Sequence, residues 1–184
     1  MIAAACGDLL SPTATVAFEE LVVLAQRPGA PTPPDVTFWV RNGGETVQAL
    51  RHPDPFGTVF AEVSFPVGSL ASLNGEPISS VDSVRVTISA TTGIYEISLS
   101  PSGLAFAPGA LPTAVFSYSL YGDLSVADGM ATFDNRQAYA GALAVWEEVT
   151  VGQWRIARGS TAPRIDEIEA RVVAPGTFLV AAVR

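Results

Sequence analysis

The chain has no lysine, a single cysteine, a single histidine and two methionines among its 184 residues. One cysteine, Cys6, has no partner for an intrachain disulfide and excludes a cysteine-based zinc site. One histidine, His52, leaves at most one imidazole for proton transfer or for activating a nucleophile. Without lysine there is no Gly-x-x-x-x-Gly-Lys phosphate loop, so Gly43-Gly44 reads as a turn. Charged residues make up only 15% of the chain, too few for a coiled coil. Ten arginines against 18 acidic residues give a net charge of −8. No run of basic residues offers phosphates a footing, which argues against a nucleic-acid partner. No apolar run approaches the ~18 residues that a membrane-spanning helix needs.

What is present is apolar and heavily punctuated. Apolar residues make up 48% of the chain, enough to offset the entropy of ordering it, so the chain folds. Fourteen prolines and 16 glycines lie between short runs rich in Val, Thr, Phe and Tyr, a pattern that predicts strands and turns. Strands are expected at Val36–Arg41, Thr46–Leu50, Thr58–Phe65, Ser83–Ser89, Ile94–Leu99, Thr113–Leu120, Leu143–Val149, Gln153–Ile156, Ile165–Val173 and Thr177–Val183. In Thr58–Phe65 the alternation puts Val59, Ala61, Val63 and Phe65 on one face and Phe60, Glu62 and Ser64 on the other. Val16 to Gln26 fits neither the strand nor the helix period, and Gly122 to Gly141 reads as a long irregular loop. Four prolines between Arg27 and Pro34 make a stiff, largely polyproline II connector. The expected fold is all-β: an Ig-like two-sheet antiparallel β-sandwich with a Pro-rich N-terminal arm. Residues 1–34 are then a lipobox remnant, tether and arm, and residues 35–184 the sandwich.

The N-terminal stretch Ala3-Ala4-Ala5-Cys6-Gly7-Asp8 resembles the lipobox of bacterial lipoproteins, in which small residues precede a cysteine that becomes lipidated. Only five residues precede Cys6 and none is basic, so a complete leader would have to begin further upstream or have been trimmed. The resemblance implies a membrane partner through a lipid on Cys6. The address is then extracytoplasmic, at the outer membrane or cell surface of a bacterium. The polar tether at residues 7–15 would hold the domain off the bilayer.

Candidate chemistry is sparse. His52 and Asp54 lie two residues apart in a loop bracketed by Pro53 and Pro55, where neighbours are solvated more often than they form a catalytic pair. Asp123, Asp128 and Asp134 fall in one irregular stretch with Asn135, as oxygen ligands for calcium or, more commonly, as turn caps. Glu147-Glu148 and Asp166-Glu167-Ile168-Glu169 read as solvated sheet positions, with Glu167 and Glu169 on one face. Trp39, Trp146 and Trp154, all on expected strands, are either core residues or a platform on which sugar rings stack. No catalytic residue and no cofactor is expected.

Two motifs and their order carry a further resemblance. Phe65-Pro66-Val67-Gly68-Ser69-Leu70 is similar to the Pro-x-Gly-Ala-Leu segment of ZU5-type β-sandwich domains, and Ser98-Leu99-Ser100-Pro101-Ser102-Gly103-Leu104-Ala105-Phe106 to their Ser-Pro-x-Gly-Leu-x-Phe segment. The hairpin from Leu143 to Ile156 and the pair Ile168 to Val180 resemble the family's last strands, so the likeness spans about residues 58–183. Some ZU5 proteins cleave themselves before a serine in a His-Phe-Ser triplet. Pro175-Gly176-Thr177 stands at the equivalent place, keeping a hydroxyl but lacking the histidine, so no self-cleavage is expected. The resulting reading is a non-enzymatic, lipid-anchored, extracytoplasmic β-sandwich with a structural or recognition role. The alternatives are a carbohydrate- or protein-binding adhesin-like module and, from another class, a self-cleaving or hydrolytic domain.

Overall fold

The computed structural model describes residues 14–184. It is an antiparallel all-β sandwich, as the spacing of the short runs predicts. The larger sheet runs in the order Val16–Ala17, Gln153–Ile156, Ala144–Thr150, Thr177–Val183, Glu96–Ser100, Ser83–Ala90, Val36–Arg41, with Leu21–Val23 also paired to Thr177–Val183. The smaller runs Thr161–Arg164, Glu167–Arg171, Thr113–Ser117, Val59–Phe65, Thr46–Arg51. Between them lies the main core, from Val40, Val86, Ile88, Ile97, Phe178 and Val180 on one side to Leu50, Phe65, Phe116 and Ile168 on the other. Two further short ladders join Leu70–Leu73 to Leu104–Phe106 and Glu76–Pro77, and Ala25–Gln26 to Gly122–Asp123.

Two glycines earn their positions in different ways. Gly68, in the Pro-x-Gly turn, has φ +73°, a left-handed conformation that disfavours any side chain. Gly103 needs no such φ. A Cβ there would meet the Asn74 side-chain amide, which packs against this glycine.

Two expectations are corrected. Val59–Phe65 does not alternate throughout: Arg51 pairs with Val59 and Leu50 with Ala61, so the intervening bulge turns Phe60 into the core beside Ala61. Residues 122–141 are not an irregular loop. They contain a 3₁₀ turn at Leu124–Ala127 and an α-helix at Arg136–Ala142, whose N-cap Asn135 accepts the Ala138 N–H. Tyr139 on that helix is fully buried and donates to the Val22 carbonyl.

Residues ahead of the Pro-rich segment take part in the larger sheet. Val16–Ala17 pairs with Gln153–Trp154 and Leu21–Val23 with Ala181–Val183, so the chain between them crosses the outer face of the larger sheet. Val16 and Leu21 close a second apolar cluster there with Trp146, Trp154, Leu179 and Ala181. Val22 and Leu24 point the other way, into the main core. The mixed apolar pattern of residues 16–24 fits neither period because this segment serves two cores and is broken by a 3₁₀ turn at Phe18–Glu20. The Pro-rich arm is likewise docked. Arg27 donates to the Gly122 carbonyl, Thr32 to Thr92 Oγ1, and His52 Nδ1 lies 2.6 Å from the Pro31 carbonyl.

Candidate functional site

His52 is 1% exposed. Its ring packs edge-on against Phe60 and 4.3 Å from Tyr121, and its Nδ1 meets the Pro31 carbonyl. Nε2 is buried without a partner among the described residues. Asp54 is its neighbour in sequence but not its partner. The Asp54 carboxylate accepts from Thr58 Oγ1, the Thr58 and Phe56 N–H groups and the Tyr121 hydroxyl. Those bonds, the Thr58 hydroxyl first, hold its pKa down at about 2. The pair thus pins an arm and a loop to the sheet.

The aspartates considered for calcium are engaged separately. Asp123 caps the 3₁₀ turn by accepting from Ser125 N–H and Oγ, and Asp128 pairs with Arg136. Among the described residues no group of three His, Cys, Asp or Glu side chains is arranged to hold a metal. Glu147 and Glu148 are not both solvated: Glu147 is buried and accepts from Arg155 Nε at 2.9 Å. Thr177 opens its strand opposite Ser98, and the Gly176 carbonyl before it accepts the Leu99 N–H. Cys6 lies outside the described residues.

The three tryptophans do not share a platform. Trp146 and Trp154 are buried in the second cluster, Trp146 donating its indole N–H to the Ala181 carbonyl. Trp39 sits on the opposite edge strand of the same sheet and is 60% exposed.

Around Trp39 the outer face of the sheet is open and polar. Val36, Phe38 and Val40 turn inward, so Thr37, Trp39 and Arg41 turn outward. On the next strand Val84, Val86 and Ile88 turn inward, and Ser83, Arg85, Thr87 and Ser89 outward. Register places Arg85 directly beside Trp39 and Ser83 beside Arg41. Thr87 lies between Thr37 and Ser100, its hydroxyl 2.8 Å from that of Thr37. Ser89, Ser98 and Thr177 form the parallel row. Across these four strands Glu96 is the single outward carboxylate, and it accepts from Thr91 Oγ1 at the end away from Arg41. The result is a face about 14 Å wide, from three inter-strand gaps, lined by hydroxyls and carrying one indole flanked by two guanidinium groups.

Sequence reasoning found Trp39 but not Arg41 and Arg85. The signal was the shared outward phase of Thr37, Trp39 and Arg41 and of Ser83, Arg85 and Thr87; pairing the two runs required the register. A second concavity lies on the outer face of the smaller sheet, where Glu62, Glu167 and Glu169 surround Val115 beside Arg164. Comparison of the chain with protein-family models, curated proteins and solved structures gives no match.

Proposed function

We propose that this chain is the display domain of a bacterial surface lipoprotein: a ZU5-like sandwich, held outside the cytoplasm by a lipid on Cys6, that recognises or supports and does not catalyse. The observation that carries the non-catalytic reading is the burial of His52. The one imidazole of the chain is walled in by Phe60 and Tyr121 and committed to Pro31, where no substrate reaches it. The ZU5 likeness is supported by the order of its two turn motifs and by the backbone demand at Gly68. The anchor is supported by the small residues before Cys6 and the polar stretch after it.

The test is expression of the chain behind a complete lipoprotein leader, with and without Cys6→Ser, followed by detergent phase partition. The lipidated form moves to the detergent phase and Cys6→Ser stays in water, because several acyl chains at ~0.8 kcal/mol per buried CH₂ anchor firmly. Equal partition of the two forms contradicts the anchor. Intact mass gives one species; fragments split before Thr177 would favour the self-cleaving alternative. The carbohydrate- or protein-binding alternative is favoured by one observation, the exposure of Trp39.

A further inference from the structure

We infer that the open half of the larger sheet's outer face is a binding surface for an acidic polysaccharide, with Trp39 stacking on a sugar ring and Arg85 and Arg41 taking its carboxylates. This deepens the recognition reading above and rests on it. Three independent features converge. An indole left 60% exposed on a strand keeps a large apolar face in water, and a pyranose presents the flat C–H surface that covers such a face while leaving its hydroxyls free. Arg85, directly across from Trp39, and Arg41, two residues along, have no carboxylate partner among the described residues. Their planar forks match carboxylates bidentately. Asp82, which lines a groove with Arg41, is engaged instead by the Ser79 N–H and hydroxyl. Thr87 and Ser98 belong to rows of short hydroxyls that both donate and accept, which suits a chain of sugar hydroxyls better than the apolar side chains of a protein partner.

Charge selects the ligand class. The molecule carries −8 overall, so a generic polyanion is repelled by the whole and must be held by local geometry. A flat face with few anchors gives modest affinity at each site, and a domain displayed in many copies on a surface compensates through multivalency.

The test is an NMR titration of the full chain with a galacturonic acid hexamer, with cellohexaose as the uncharged arm and poly-glutamate as the sugar-free arm. The hexamer is expected to shift the Trp39 indole N–H and the Thr87 and Ser98 amides. Trp39→Ala should weaken binding by at least about tenfold, the scale of a hot-spot tryptophan. Arg85→Gln should lower the hexamer's affinity towards that of cellohexaose, with Arg41 left to hold a carboxylate. Both substitutions are on the surface, and unchanged melting temperatures confirm that each variant is folded. Poly-glutamate binding as tightly as the hexamer, shifts confined to other faces, or undiminished binding by both variants overturns the inference. So does the absence of any shift. Because partition of the Cys6→Ser form reads the anchor separately, failure here leaves that result standing, and equal partition there leaves this titration interpretable.

Discussion

A tryptophan on a strand is ambiguous until its neighbours are known, and Trp154 shows why. It lies in a short run, Gln153–Ile156, that alone says nothing about which side is covered. Val16 and Leu21, more than 130 positions away, provide the cover. Trp154→Ala should therefore cost about 3–5 kcal/mol in urea unfolding, the range for an aromatic lost from a core. A loss below about 1 kcal/mol would place it at the surface. Asp54 gives a residue-scale expectation in pH. Its folded pKa, about 2, lies below the ordinary 3.8 because the charged form gathers hydrogen bonds from Thr58, Tyr121 and Phe56. The charged form is thus favoured by folding, so its contribution is fully present above pH 3.8 and is lost as pH falls towards 2. Asp54→Asn should flatten the acid limb of a melting-temperature profile in that window. A profile parallel to the parent's would contradict this.

At the scale of elements, most strands were legible. Val36–Arg41, Gln153–Ile156 and Thr177–Val183 coincide with the expected runs, and the other expected strands differ only at their ends. What escaped was local structure set by distant partners. The bulge opposite Leu50 reverses Phe60, and nothing in Thr58–Phe65 marks it. The helix Arg136–Ala142 is two turns long and rich in Ala and Gly. Its stability comes from burying Tyr139 against Val22, which pattern reading cannot see. The stiff connector at 27–34 lies along the sheet, where Gly122, Thr92 and His52 hold it, contacts that its proline content cannot announce. Deleting residues 1–26 removes Val22 and Leu24 from the main core and uncovers Trp146 and Leu179. The shortened chain should fail to give a cooperative melt, whereas a stable fold starting at Arg27 would restore an independent arm.

For the whole molecule, the outer face of the larger sheet is divided. One half is apolar and roofed by the N-terminal segment; the other is hydroxyl-lined and open, with Trp39, Arg85 and Arg41 upon it. The strand residues of the candidate site were legible as outward positions, but their assembly was not, since Trp39 and Arg85 meet only through a register joining segments 46 positions apart. Both the apolar roof and the proposed binding face depend on this division. Acrylamide quenching of tryptophan fluorescence tests it most directly, comparing the parent chain with Trp39→Phe. The parent should show one readily quenched component and a shielded remainder, and the variant should keep only the shielded remainder. If Trp39→Phe is quenched as efficiently as the parent, Trp146 or Trp154 is open to solvent and the divided face is wrong.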